Sequence, residues 1–138
     1  MREILFRGKR IDNDAWVYGS FCMDALEQKN GLCGIDGFIR LYDFESRKTQ
    51  TYEVDRETVG QYTGLTDKNG RKVFEGDIVE VNYDAASFCK RGEVFFTGSS
   101  FMIKEVSNVF TLYGLILWCE VIGNIHDNPE LLGVNDNA

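Results

Sequence analysis

The sequence predicts a mainly β protein, a β-rich α+β fold at most, built from antiparallel strands. Three observations lead to this prediction: short alternating apolar segments recur at close intervals, 14 glycines stand against one proline, and 13% of the residues are aromatic. Alternating segments of this length are typical of strands, and glycine supplies the backbone freedom that turns need. The close spacing of the strands indicates a small barrel or sandwich. At 138 residues, the chain can fold without a disulfide or a metal.

The first sixty residues predict a hairpin with a long loop, followed by a second pair of strands. The strand segments, which alternate apolar and polar residues, are 3–7, 16–22, 38–44 and 51–54. Asp12, Asn13 and Asp14 supply the turn of the hairpin, because their short side chains accept local backbone N–H groups. Residues 55–60 predict a single helical or 3₁₀ turn.

The central segment, QYTGLTDKNGRKVFEGDIVEV at 61–81, predicts two turns and a strand. Residues 67–70 form a tight turn, in which Gly70 is suited to the left-handed backbone conformation of a hairpin. Residues 75–77 form the next turn, and the strand follows over 78–83.

Glu75 and Asp77 have two interpretations. As a catalytic pair, two adjacent carboxylates would drive their pKa values apart and provide a general acid and a general base. As structural residues, they flank Gly76 in a turn, and Asp77 accepts backbone N–H groups where the next strand begins. We favour the structural interpretation, because no histidine lies in this segment.

The C-terminal half predicts a run of further strands and one closing turn. The strand segments are EVFFTG, SSFMIKEV, VFTLYG and LILWCEVIGNI, which together cover most of residues 93–125. In the closing turn Asn128 is the predicted cap, Pro129 occupies the first helical position and Gly133 ends the turn. We divide the chain into an N-terminal hairpin and meander region, 1–60, and a C-terminal barrel-like β region, 61–138, which we expect to pack as one compact unit.

The charge disfavours nucleic acid as a partner. A net charge of −7 and a pI of about 4.7 repel a phosphate backbone, although small basic groups such as Arg7, Lys9 and Arg10 are present. Residues 110–119 form the longest apolar segment, which is too short to cross a bilayer as a helix. No secretory signal pattern is found near Met1. We therefore predict a cytoplasmic protein without a membrane partner.

The sequence predicts no catalytic, cofactor-binding or metal-binding residue. The four cysteines are dispersed without any C-x-x-C pair, and we predict reduced, mostly buried thiols at Cys22, Cys33, Cys89 and Cys119. His126 is the only histidine, and we interpret it as a surface or cap-associated residue. No nucleophile motif and no phosphate-binding loop are found.

The aromatic residues of the strands could form either a core or a stacking platform for single-stranded nucleic acid. We favour the core, and we expect any exposed remainder to mark a contact between subunits. The residues concerned are Trp16, Tyr18, Phe21, Tyr83, Phe95, Phe96, Phe101, Tyr113 and Trp118.

Three segments resemble the YopX family, whose members are encoded by bacteriophages and prophages. They are MREILFRGKRIDNDAWVYG at the start, TVGQYTGLTDKNGRKVFEGDIVEV in the centre and EVIGNIHDNPELL near the end. The resemblance implies a mainly β architecture with a small SH3-like barrel element in the C-terminal part, and it implies no activity. Seven recurrent positions are interpreted as turns and strand starts: Gly64, Gly70, Gly76, Asp77, Gly123, Asn124 and Pro129.

Three functional hypotheses follow. The first is a non-enzymatic phage accessory protein that forms homo-oligomers and binds an unknown phage or host protein. The alternative is a small β-barrel protein that binds nucleic acid, which the acidic charge disfavours. The least favoured is a hydrolase or nuclease that uses Glu75 and Asp77.

Overall fold

The structure of the chain is a computed structural model, and it describes residues 3–24, 36–43, 45–83, 88–105 and 108–133. The strands of this part are β1 (Phe6–Arg10), β2 (Trp16–Asp24), β3 (Asp36–Asp43), β4 (Lys48–Thr66), β5 (Lys72–Phe74), β6 (Asp77–Tyr83), β7 (Phe88–Thr97), β8 (Ser100–Lys104), β9 (Val109–Thr111) and β10 (Cys119–Asn124). The helices are α1 (Leu112–Leu115) and two 3₁₀ helices, Ile116–Trp118 and Pro129–Leu132. None of these helices is long and apolar enough to cross a membrane.

Every strand pairing described here is antiparallel. The predicted mainly β class with antiparallel strands is therefore confirmed. The chain divides into two compact units, Met1–Gln61 and Tyr62–Ala138. Strand β4 runs through the boundary between them.

The N-terminal unit contains a ring of four strands. β1 pairs with β2, β2 with β3 and β3 with β4, and β4 returns to pair with β1. Phe6 shows the closure directly, because it lies opposite Gly19 of β2 and opposite Gln61 of β4. Ile39 and Val54, from β3 and β4, are fully buried. The SH3-like barrel that the resemblance implies for the C-terminal part stays a prediction.

The ring is closely packed where β2 passes β3. A Cβ atom added to Gly19 would lie 2.1 Å from the carbonyl oxygen of Arg40 and 3.2 Å from a methyl carbon of Ile39. Such a separation from a backbone atom is far shorter than van der Waals contact. Only glycine fits at position 19.

The helical turn predicted at residues 55–60 is wrong, because β4 continues through them as a strand. The Asp55 carboxylate does accept the N–H of Glu57 at 3.0 Å, as a cap would. This local bond instead accompanies an irregularity between β4 and β1, where the register shifts between Arg7 and Lys9. At the same irregularity, the Thr58 hydroxyl accepts the backbone N–H of Lys9 at 2.9 Å. A capping signal therefore marks a bulged strand here.

The C-terminal unit contains a five-stranded sheet in the order β10-β6-β7-β8-β9. A short hairpin from the end of β4 and β5 belongs to the same unit. One face of the sheet forms the core, since residues that alternate along its strands are buried there. The buried cluster consists of Val73, Val79, Val81, Val94, Ile103, Leu112, Cys119 and Val121.

The strands predicted over residues 109–114 and 115–125 are interrupted by helical structure between Leu112 and Trp118. Leu112 is fully buried, and Leu115 and Ile116 pack against the same core. Positions i, i+3 and i+4 face one side of a helix, so this spacing favours a helical turn over a strand. The run of apolar residues concealed that period from the sequence analysis.

Candidate functional site

The Glu75-Gly76-Asp77 turn is held by hydrogen bonds to backbone groups, as the structural interpretation predicts. Gly76 has a φ of 88°, which other residues rarely adopt, and Asp77 begins β6. Asp77 is 1% exposed, and its Oδ2 accepts the backbone N–H of Phe74 at 2.7 Å. The backbone of Gly76 donates to the Val94 carbonyl at 2.8 Å. The Asp77 carboxylate thus fixes the turn between β5 and β6.

Asp67 is a buried carboxylate whose long-range role the sequence analysis missed. Its Oδ1 accepts the N–H groups of Asn69 and Arg71, both at 2.9 Å. Its Oδ2 accepts the N–H of Val121 in β10 at 2.9 Å. Burial favours the neutral acid, but the backbone N–H groups, with the charge of Arg71, outweigh burial and lower the pKa of Asp67. Asp67 therefore joins the turn at 67–70 to a strand 54 residues away.

His126 lies in a turn that Asn124 organises. The Oδ1 of Asn124 accepts the backbone N–H groups of His126 and Asp127, both at 2.9 Å. The Oδ1 of Asn128 in turn accepts the N–H of Asn124 at 3.3 Å. Asn128 occupies the predicted N-cap position of the closing 3₁₀ helix, although its side chain forms no hydrogen bond with that helix. The histidine thus belongs to a hydrogen-bonded turn.

The other predicted positions lie as follows. Gly64 and Gly70 have φ values of 87° and 83°, in β4 and in the turn that precedes β5. Gly123 lies in β10, where its register with β6 shifts. Pro129 occupies the first turn of the closing 3₁₀ helix, and Gly133 ends it with a φ of 68°.

The described residues contain no group of three or more His, Cys, Asp and Glu residues that could hold a metal ion. Cys22 and Cys119 are free thiols, of which Cys22 is partly exposed and Cys119 is buried. The side chains of Cys33 and Cys89 lie outside the described part.

Cys119 is expected to resist alkylation in the folded protein. Its Sγ donates to the carbonyl of Leu115 at 3.2 Å, and burial, with the nearby charge of Asp67, raises the pKa of the thiol to about 11. Because the thiolate is the reactive form, iodoacetamide at pH 8 should modify Cys119 at least tenfold more slowly than in urea. Peptide mass spectrometry measures both rates, with Cys22 as the internal control. Equal rates in native and denatured protein would contradict the expectation.

Basic residues of the N-terminal unit stack on aromatic rings. The guanidinium of Arg7 lies 4.6 Å from the ring centre of Trp16, and the Lys9 ammonium lies 5.8 Å from the same ring. Arg10 stacks on Tyr52 at 4.6 Å and pairs with Asp12 at 2.6 Å. These cations therefore have intramolecular interactions already.

The strongest candidate for a functional surface lies beside α1. Tyr113 and Leu117 are 78% and 74% exposed, the highest values among the exposed large apolar residues, and Val109 nearby in the chain is 52% exposed. We name Val109, Tyr113 and Leu117 the α1 surface. Among the aromatic residues weighed above whose side chains the structure describes, Tyr113 is the most exposed, and Phe96 and Tyr18 are also exposed, at 48% and 43%.

The comparisons with known proteins agree with this fold. A family model described as YopX protein matches residues 5–133. Protein EF1440 from Enterococcus faecalis is similar in structure, with 23% identity and a TM-score of 0.56 over 96% of this chain and 99% of that chain. Protein yopX from Bacillus subtilis is similar with 21% identity and a TM-score of 0.58 over 99% and 100% of the two chains.

At these identities the structural likeness shows the fold alone. A search of curated proteins finds no match. The family model nevertheless covers almost all of the residues that the structure describes. The chain belongs to the YopX protein family.

Proposed function

We propose that the chain is a non-enzymatic, oligomeric protein-interaction module. It is encoded by a bacteriophage or prophage and acts in the host cytoplasm, where it binds itself and an unknown phage or host protein. One observation carries this proposal: Tyr113 and Leu117, the two most exposed large apolar side chains of the described residues, lie four residues apart, in α1 and in the 3₁₀ helix Ile116–Trp118 that follows it.

The spacing of the α1 surface supports a contact with protein. Tyr113 and Leu117 lie in two consecutive short helices and are both exposed, and exposed large apolar side chains this close in the chain favour a contact with another protein. Burial of a large apolar side chain contributes about 1.5–3 kcal/mol, and aromatic residues are enriched at protein interfaces. The opposite side of the same segment carries Leu112 into the core. The exposed pair is therefore available for a second protein surface.

The buried carboxylates support a non-enzymatic role. Asp67 and Asp77 each accept short backbone hydrogen bonds, and both are at most 5% exposed. A general base must reach a substrate proton, and these oxygens are directed at backbone N–H groups.

The test is the oligomeric state in solution. Light scattering behind size exclusion, over a hundredfold range of concentration, should show an oligomer for the native chain. Leu117→Asp should shift it to the monomer, because a charge buried in an apolar contact is costly. Ile11→Asp is the matched control: Ile11 is also an exposed aliphatic residue, 56% exposed, in the turn between β1 and β2.

A native chain that stays monomeric at every concentration would overturn the self-association. Loss of the oligomer in both variants would show a general effect of added charge and would remove the α1 surface from the proposal.

Nucleic-acid binding remains the alternative proposal, since Lys9 lies beside the ring of Trp16. Fluorescence anisotropy with labelled single-stranded DNA and RNA at low salt tests it. Binding that weakens steeply with salt would favour the alternative.

A further inference from the structure

Strand β9 is the last strand on its side of the C-terminal sheet, within the described part of the chain. It contains Val109, Phe110 and Thr111, and it pairs with β8 alone among the described strands. Edge strands are usually protected from pairing with another chain by a charge, a proline, a bulge or a very short length. β9 is short, at three residues, but it contains neither a charge nor a proline.

The hydrogen-bond pattern of the hairpin identifies which backbone groups of β9 face outward. Glu105 and Asn108 exchange both backbone hydrogen bonds, at 2.9 and 3.2 Å. Hydrogen-bonded and non-hydrogen-bonded pairs alternate along an antiparallel ladder. From Glu105 and Asn108 onward, the register makes Ile103–Phe110 a hydrogen-bonded pair.

The remaining residues of β9 are therefore non-hydrogen-bonded toward β8. Val109 lies opposite Lys104 and Thr111 lies opposite Met102 in such pairs. Their backbone N–H and C=O groups point away from β8, toward the open edge. Phe110 stands midway between these two residues.

We propose that two copies of the chain pair through β9, antiparallel, about a two-fold axis at Phe110. This inference rests on the proposed self-association and identifies the second copy as the occupant of the edge. The arrangement is self-complementary, because the axis places Val109 of each copy opposite the partner's Thr111. The outward N–H and C=O groups of one residue then face the outward C=O and N–H groups of the other. Symmetric contacts of this kind are the commonest in homodimers.

Two of the hydrogen bonds of this pairing do not compete with the hydrogen bonds of α1. The Thr111 N–H of each copy donates to the carbonyl of the partner's Val109. The reverse pair competes with α1, because Thr111 is its N-cap and an N-cap carbonyl accepts the first helical hydrogen bond.

The α1 surface extends the same contact. Tyr113 follows Thr111 by two residues, so it stands at the end of the paired edge. Val109, half-exposed in β9, belongs both to the edge and to the α1 surface. Strand pairing would fix the relative orientation of the two copies, and the apolar side chains would contribute most of the buried area of the contact.

Thr111→Pro tests the pairing with little change to the fold. Thr111 has a φ of −74°, which a proline ring accepts, and it precedes the first residue of α1. The substitution removes the outward N–H alone. Thr111→Ala is the matched control, because it removes the side chain and keeps the N–H. Circular dichroism and thermal melting verify that both variants fold.

Sedimentation equilibrium should show that Thr111→Pro raises the dimer Kd about 30-fold, as expected for two lost hydrogen bonds, while Thr111→Ala changes it less than threefold. Hydrogen exchange gives a second readout: the Thr111 amide of the native chain should exchange more slowly as concentration rises. Equal effects of the two variants, or exchange independent of concentration in a protein that does dimerise, would overturn the edge pairing. If Leu117→Asp dissociates the dimer and Thr111→Pro does not, the proposed function stands and this inference falls. A native chain that never dimerises removes both.

Discussion

Asp67→Ala is expected to lower the free energy of unfolding by about 3 kcal/mol. The substitution leaves the N–H groups of Asn69, Arg71 and Val121 without their acceptor. A buried donor without a partner costs about 1–3 kcal/mol, and Val121 is 5% exposed. A loss of this size is a large part of the 5–15 kcal/mol typical of a domain. Urea denaturation followed by tryptophan fluorescence measures it.

The same carboxylate makes the stability depend on pH. The pKa of Asp67 is lowered in the folded chain, so its contribution is fully present above the unfolded value of about 3.9. That contribution is lost as the pH falls through the folded pKa. The difference in unfolding free energy between the native chain and Asp67→Ala should therefore be constant from pH 7 to 5 and shrink below pH 4.

Asp12→Ala is the control for this series. Asp12 is an exposed aspartate whose pKa is also lowered, through its hydrogen bond with Arg10. Exposed ion pairs contribute little, so the variant should unfold close to the native chain. An Asp67→Ala chain as stable as the Asp12→Ala chain would show that the three backbone bonds contribute nothing net.

Gly19→Ala is expected to destabilise the N-terminal ring by about 3 kcal/mol. The added Cβ would lie 2.1 Å from the Arg40 carbonyl oxygen. Because that neighbour is backbone, β2 and β3 must separate locally, and overpacking of this kind costs about 1–3 kcal/mol or more. Hydrogen exchange should show faster opening of the amides in β1 to β3 than in the native chain.

Gly114→Ala is the matched control for a methyl group added to glycine. Its new Cβ would meet the Thr111 hydroxyl at 2.8 Å, and that group can rotate away. Alanine also favours a helix over glycine by about 1 kcal/mol, so this variant should be as stable as the native chain or more stable. If the Gly19→Ala and Gly114→Ala chains have the same melting temperature, the close packing of β2 on β3 is contradicted.

Local chemistry made the turns predictable. Asp67, Gly70 and Gly76 stand where turn residues stand in hairpins, and a short carboxylate or a glycine carries that information in its own side chain. The bond from Asp67 to Val121 joins residues 54 apart, so no local pattern encodes it. The helical turn at Leu112 was concealed for a different reason, since its exposed positions are as apolar as its buried ones.

The ring and the candidate surface illustrate the same limit. The sequence predicts strands at 3–7 and 51–54, which overlap β1 and β4, but nothing in either segment specifies that the two should pair. The exposure of Tyr113 could not be predicted, because an exposed and a buried aromatic residue read alike in a sequence. Strand pairing and side-chain exposure both depend on which residues lie nearby in the folded chain.

The closure of the N-terminal ring has a consequence for biosynthesis. Its first strand must join the last strand of the unit, so the ring cannot be completed while β4 is still inside the ribosome. Translation proceeds at about 5–20 residues per second, and pairings between distant segments form late. For an interval on the order of seconds, the nascent chain therefore presents the apolar side of β1 to β3 with open strand edges. This is the interval in which a chaperone would have most effect on the yield of folded protein.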